Sequence, residues 1–296
     1  MVREATVLVV GSGPAGIAAS IQAHRDLVDH IVVGREPAGG LLPAAWRIDN
    51  LPGFPGGIPG RALARRLARQ AARLGLPVEV DEVADIELEI GGFLARLASG
   101  GAVRARAVIL ATGTHPRDFS ATGAGEVAAR GRLHRDARSL PARLSGRSVA
   151  ILGGGDAALD TALSVHQRGG RASILIRGRA LSANPRLVER VAERGIAIET
   201  DRIVDRLGVD RTGVRIDPGG LAADHVVVCI GRVPEDTLYR SLVPDGPIPW
   251  EVETPIEGLF LAGDLVAGAD RYVAAAQGDG QRAMLAAERY LEGVKG

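Results

Sequence analysis

Cysteine occurs once in these 296 residues, at Cys229 within Val226-Val227-Val228-Cys229-Ile230. A redox disulfide therefore cannot form inside the chain, and no Cys/His cluster has zinc or iron–sulfur spacing, so no metal site is expected. Lysine also occurs once, at Lys295, which leaves nearly all the positive charge to arginine. Aromatic residues make up 3% of the chain, so the two tryptophans stand out. Long apolar runs are missing as well. Val7-Leu8-Val9-Val10 follows Arg3 but is too short for a signal segment and runs directly into a glycine loop. These absences point to a cytoplasmic setting with no membrane partner. The formal charge of +1 supplies no global field for nucleic acid. What remains is 46% hydrophobic and 24% charged, a globular composition with length for two cores.

Glycine is abundant, and its placement is informative. An apolar strand over 6–10 leads into Gly11-Ser12-Gly13-Pro14-Ala15-Gly16, a helix follows from about Ala15 to Arg25, and a second strand covers 31–33. In such a βαβ start the first two glycines permit a tight turn and close backbone approach, and the third lets helix and strand pack closely. The helix N-terminus then faces a pyrophosphate. Glu36 lies about 20 residues past Gly16, near the place of a ribose-binding carboxylate.

The plan repeats 142 residues later, from Gly11 to Gly153. A strand over 148–152, the turn Gly153-Gly154-Gly155-Asp156-Ala157-Ala158, a helix to about Gln167 and a strand over 172–176 give a second dinucleotide unit. The repetition makes chance glycine turns a poor explanation. After Ile176 come Arg177 and Arg179 with no acid nearby, which favours the 2′-phosphate of NADPH, with NADH the alternative donor.

Two further strands end in glycine: one in Ala111-Thr112-Gly113, the other in Gly231-Arg232-Val233-Pro234, marking crossovers and candidate hinges. Gly258-Leu259-Phe260-Leu261-Ala262-Gly263-Asp264 reads as a buried strand ending in a carboxylate suited to a ribityl hydroxyl. A final helix over about 274–291, after Arg271-Tyr272-Val273, aims its positive end at an electron-rich ring. Trp46 is a candidate flavin contact. His115 reads as a hinge residue, and His134 has no companion base or nucleophile to form a catalytic set. Arginine is dense at Arg61, Arg65, Arg66, Arg69 and Arg73, and again at Arg130, Arg132, Arg135, Arg138, Arg143 and Arg147. Either stretch suits an acidic carrier protein, or simply solvates an ordinary helix face.

Gly39-Gly40-Leu41-Leu42, then Asp49-Asn50-Leu51-Pro52-Gly53-Phe54-Pro55-Gly56, together with Ala111-Thr112-Gly113, the turn from Gly153 and Gly263-Asp264, resemble the thioredoxin reductase family over nearly the whole chain. The resemblance implies an α/β fold of two Rossmann-like domains. An FAD domain would comprise 1–114 and 232–296, with an NAD(P)H domain of 115–231 inserted in it. It places Gly40, Leu41, Leu42 and Asn50 near a flavin ring and Arg271-Tyr272-Val273 at its pyrimidine side, with Val83 a further contact on the FAD side. It also implies a homodimer. The family's Cys-x-x-Cys falls on Asp136-Ala137-Arg138-Ser139, so thiol chemistry is lost there. Leu133-His134, Leu144-Ser145-Gly146-Arg147, Asp156 and Asp160 are similar to a branch without those cysteines, the thioredoxin-reductase-like ferredoxin–NADP reductases.

The function expected is an FAD-dependent oxidoreductase that takes hydride from NADPH and passes electrons to a ferredoxin-like carrier or a small oxidant. Rotation of the inserted domain about 113–116 and 231–234 would bring the rings together. Two alternatives stand beside it: reduction of a disulfide supplied by a partner protein, and a flavin-binding sensing subunit that has lost nicotinamide binding.

Overall fold

The computed structural model describes residues 1–211 and 213–293. The chain forms two compact units: Met1–Pro43, Asp49–His115 and Pro234–Gly296 make the first, and Ala44–Ile48 with Pro116–Val233 the second.

The first unit opens with strand β1 (Val2–Val10), helix α1 (Pro14–Arg25) and β2 (His30–Gly34). Helix α2 (Gly60–Arg73), β3 (Val78–Val80), β4 (Val83–Glu89), β5 (Gly92–Leu97) and β6 (Ala102–Leu110) follow, and β7 (Thr114–Pro116) leaves the unit. From Val7 to Val10 β1 is apolar and buried at every position because both faces of its sheet are covered there. Val7 and Val9 point to a core with Ala15, Ala19 and Ala23 of α1, while Leu8 and Val10 point to the opposite core with Phe93, Val108 and Leu110. The alanines let α1 lie close to the strands.

The second unit holds α3 (Ala124–Ala129), β8 (Leu133–His134), β9 (Ser148–Leu152), α4 (Asp156–Gln167), β10 (Arg171–Leu175), α5 (Pro185–Glu193) and β11 (Ala197–Glu199). Strands β12 (Arg206–Val209), β13 (Val214–Asp217), β14 (Leu221–Ala223) and β15 (His225–Val228) complete it, and β16 (Arg232–Pro234) leads back. The chain then adds α6 (Thr237–Leu242), β17 (Leu259–Leu261) and α7 (Val273–Gly293) to the first unit.

The first sheet runs β3-β2-β1-β6-β5-β4. Along β6, Ala102–Ala105 pair antiparallel with β5, and Val108–Leu110 pair parallel with β17. A five-stranded sheet of order β11-β10-β9-β15-β8 forms the second unit, with β9 central and parallel to both neighbours. Its Val149 and Ile151 pack on α4, and its Ala150 and Leu152 face the three-stranded sheet β12-β13-β14 and α3. Both units therefore carry the β–glycine turn–α–β order read from the sequence, and each is a three-layer dinucleotide-type domain. The short segment Ala44–Ile48 grouping with the second unit is not signalled by its sequence.

Candidate functional site

The first glycine turn is built by three different requirements. Gly11 has φ +114°, and a Cβ on it would lie 2.2 Å from the Ala111 carbonyl oxygen, so β1 and the Ala111-Thr112-Gly113 segment meet there with no room for a side chain. A Cβ on Gly16 would lie 1.8 Å from the Gly11 oxygen, which is the close helix–turn approach. Gly13 differs from both: its φ is −73°, open to any residue, and nothing in the protein lies within 4 Å of its Cβ direction. The chain itself does not require glycine there, so the open face suits an external group pressed against the backbone. Gly13 is also the residue preceding α1, where free N–H groups and the helix dipole favour a phosphate.

Other candidates border this turn. The Gly39 N–H donates to the Ser12 carbonyl at 2.8 Å, and a Cβ on Gly40 would come 3.0 Å from Gly13 Cα, so the turn holding Leu41 and buried Leu42 abuts the loop. Ser12 Oγ donates to the Glu36 carbonyl at 2.6 Å, which fixes the backbone of Glu36 beside the loop while its side chain is exposed. Gly263 has φ +73°, and its Cβ would meet Ala15 Cβ at 2.8 Å, bringing Asp264 to the start of α1. Arg271 and Tyr272 precede Val273, the first residue of α7. Val83 opens β4 with its side chain buried in the core, and Asn50 is exposed in the segment before α2.

The junction at the end of β6 is tied by Glu235, which sequence reading missed. Its backbone N–H donates to the Gly113 carbonyl at 2.9 Å, and its carbonyl accepts from Thr112 Oγ1 at 2.7 Å. Its carboxylate, 15% exposed, lies 3.4 Å from Arg35 and 3.5 Å from His115.

The second turn follows the same logic. Gly153 (φ +131°) would place a Cβ 2.1 Å from the Cys229 carbonyl oxygen. Gly155 has φ −94°, and the nearest atom to its Cβ direction is Ser182 Oγ at 3.6 Å, an ordinary contact, so a side chain there is not blocked by backbone as it is at Gly153. Asp156 accepts from the Asn184 backbone N–H at 2.7 Å and from its Nδ2 at 3.0 Å, and the Ser182 N–H donates to the Gly154 carbonyl at 2.9 Å. These bonds hold the loop carrying Arg177 and Arg179 over the turn, with Ala157 exposed at the start of α4. One correction applies here. Parallel pairing of β10 with β11 brings Asp201 to 3.5 Å from Arg179, so an acid does lie near these arginines although none is close in sequence. Gly231 has φ +109°, and its carbonyl accepts from the Arg117 N–H at 3.0 Å.

Trp46 lies within the second unit. Its backbone N–H donates to Asp160 Oδ2 and its indole N–H to Gln167 Oε1, each at 2.6 Å, with Arg190 and Arg194 within 5.6 and 5.8 Å of the ring. His134 also has companions that its sequence neighbourhood hides. Pairing of β8 with β15 sets its Nε2 at 3.0 Å from His225 Nδ1, and its Nδ1 is 3.0 Å from Ser139 Oγ. Burial, then the neighbouring His225, lowers His134 to about 4, so it is neutral at physiological pH. Where the family's dithiol would fall, Asp136 and Arg138 form an ion pair at 2.9 Å. The lone thiol of Cys229 is pushed up to about 11 by burial, so it is held as the thiol rather than the thiolate at physiological pH. Among the described residues no His, Cys, Asp and Glu group forms a metal site, and no helix is long and apolar enough to cross a membrane.

The profile of the pyridine nucleotide-disulphide oxidoreductase family matches residues 5–280. This chain belongs to that family. Its sequence is 32% identical to the bifunctional thioredoxin reductase/thioredoxin of Mycobacterium leprae, covering 96% of this chain and 65% of that protein. It is 29% identical to the thioredoxin reductase of Mycolicibacterium smegmatis, covering 96% of both. The fold matches Lactococcus lactis thioredoxin reductase (TM-score 0.87, 23% identity, 97% of this chain and 99% of that one). It also matches the bacillithiol disulfide reductase YpdA of Staphylococcus aureus (TM-score 0.75, 18% identity, 98% and 99%). Family members use FAD and NADPH. The open face of Gly13 before α1, and the matching glycine turn before α4, fit one dinucleotide apiece.

Proposed function

We propose that this protein is an NADPH-dependent FAD oxidoreductase whose electrons go to an acceptor outside the chain. NADH is the alternative donor, and the acceptor is a ferredoxin-like protein carrier or a small oxidant. The observation that carries this reading is the absence of a second cysteine, together with the Asp136–Arg138 ion pair standing where a dithiol would be. FAD, when bound, supplies the exchange between two-electron and one-electron chemistry. The turn at Gly11–Gly16 would hold its pyrophosphate, Asp264 a ribityl hydroxyl, and the N-terminal end of α7 would favour negative charge on the ring. The turn at Gly153–Asp156 would hold the nicotinamide nucleotide, with Arg177 at the 2′-phosphate. Overall, NADPH and two one-electron acceptors give NADP⁺, a proton and two reduced acceptors. Anaerobic mixing of the FAD-loaded protein with NADPH should bleach the flavin absorbance. No bleaching with either NADPH or NADH sinks the reading.

A second reading is favoured by the names of the relatives, several of which reduce disulfides: the electron pair goes to a disulfide carried by a partner. An acceptor panel separates the two. Turnover of oxidised thioredoxin without turnover of ferredoxin or quinone would select the partner-disulfide route.

A further inference from the structure

The two arginine-dense stretches differ in the structure. In the stretch from Arg130 to Arg147, three of the six arginines have a carboxylate partner: Arg130 pairs with Glu126 at 3.0 Å, Arg138 with Asp136 at 2.9 Å and Arg147 with Asp224 at 2.8 Å. On α2, Arg61, Arg65, Arg66, Arg69 and Arg73 are all exposed, and among the described residues none has a carboxylate partner. The helix contains no acid at all. At 3.6 residues per turn the five side chains fall within an arc of roughly 140° and extend over about 18 Å. The opposite face, Gly60, Leu63, Ala64, Leu67 and Ala71, is buried, so the helix cannot roll to hide its charge. Arg66 is further held over the Phe54 ring at 5.4 Å.

The position of this face matters as much as its charge. A Cβ on Gly39 would meet Ala64 Cβ at 2.9 Å, and the adjoining Gly40 abuts Gly13, so α2 backs directly onto the turn that borders the first glycine loop. The cationic surface is thus about one helix diameter, roughly 10 Å, from that turn. Five guanidinium groups with no carboxylate partner among the described residues, in a chain of net charge +1, concentrate positive potential on one face and leave the remainder net negative.

We infer that the outer face of α2 is the docking surface for an acidic electron-carrier protein, the acceptor in the electron-transfer reading above, on which this inference rests. Carboxylates of the carrier would pair with Arg61, Arg65 and Arg69, orienting it against the first unit. Steering by such a face acts on association rate and on salt dependence.

The test compares full-length FAD-loaded protein with the double variant Arg65→Glu/Arg69→Glu. NADPH-driven turnover is measured with an acidic [2Fe–2S] ferredoxin, a basic cytochrome c and a neutral quinone. The wild type should show a kcat/KM for ferredoxin that falls steeply with ionic strength. The variant should lose about tenfold or more of it, with quinone turnover and the sedimentation coefficient unchanged. Ferredoxin kinetics insensitive to both salt and charge reversal, with quinone turnover intact, overturn the docking surface while leaving the oxidoreductase reading standing. A changed oligomeric state in the variant overturns it too, by assigning the face to a second copy of the chain. So does unchanged ferredoxin turnover with lost binding to anionic vesicles or DNA. Absence of NADPH-driven turnover of all three acceptors by the wild type defeats the underlying reading and this inference together.

Discussion

Gly280 of α7 lies against the carbonyl of Ala15 at the start of α1: a Cβ on Gly280 would stand 2.0 Å from that oxygen. Both partners are backbone, so the contact cannot be relieved by a rotamer change. Gly280→Ala should force α7 away from α1, at a cost of about 1–3 kcal/mol or more. Thermal unfolding of the apo-protein should show a clearly lowered midpoint, and FAD should bind more weakly because α7 no longer closes on the first turn. An unchanged midpoint would mean the two helices are not packed this tightly.

The glycines of the first turn should separate into two classes. Gly11→Ala places a side chain on a left-handed residue and against the Ala111 carbonyl, so it should destabilise the fold itself. Gly13→Ala meets no protein atom and has an ordinary φ. Its apo-protein should be as stable as wild type, or slightly more so, since alanine restricts the unfolded chain by up to about 1 kcal/mol. Yet its FAD affinity should fall by roughly a hundredfold, equivalent to about 3 kcal/mol. Titration with FAD against thermal melts of both apo-variants measures the difference. Equal loss of stability in the two would remove the cradle argument.

These contrasts also mark what could be read without coordinates. Both glycine turns, their strands and their helices were legible because local requirements, a positive φ at Gly11 and Gly153 and apolar runs covered on both faces, write themselves into contiguous residues. The ties made by strand pairing were not. His225 beside His134, Asp201 beside Arg179 and Glu235 beside Arg35 are separated by tens of residues or more, and each partner alone is an ordinary polar residue. Trp46 attracted attention for its rarity, but its partners Asp160 and Gln167 lie more than a hundred positions away. The charge of α2 was plain in the sequence, whereas its lack of carboxylate partners among the described residues could be learned only from the surrounding surface.

Arg177 and Arg179 should contribute unequally to nucleotide choice. Arg179 lies 3.5 Å from Asp201, while Arg177 is exposed with no carboxylate partner among the described residues. Arg177→Ala should lower the NADPH-to-NADH ratio of kcat/KM by about tenfold or more, the size of one charge-assisted hydrogen bond. Arg179→Ala should have a smaller effect, and Asp201→Ala should raise the ratio by releasing Arg179. Steady-state kinetics with both donors decides the ranking. Equal effects of the two arginine variants would place the 2′-phosphate elsewhere.

Glu288 on α7 sets a pH dependence of the opposite sign to that of the common surface carboxylate. Burial, followed by the charge of Asp26 and a hydrogen bond to it, raises its carboxyl to about 7, and its Oε1 is buried with no hydrogen-bond partner among the described residues. The folded protein therefore holds a proton there that the unfolded chain has released, since a free Glu titrates near 4.3. Its contribution to stability is complete below that unfolded value and is lost as pH rises through about 7. Between pH 5 and pH 8 the wild type should consequently lose stability relative to Glu288→Gln, which keeps a neutral donor toward Asp26 at all pH values; the opposite contribution of His134, held neutral by burial, is common to both proteins and cancels in the difference. Chemical denaturation of both proteins at the two pH values measures this. A wild-type and variant difference that does not grow with pH would show that Glu288 is ionised in the folded protein.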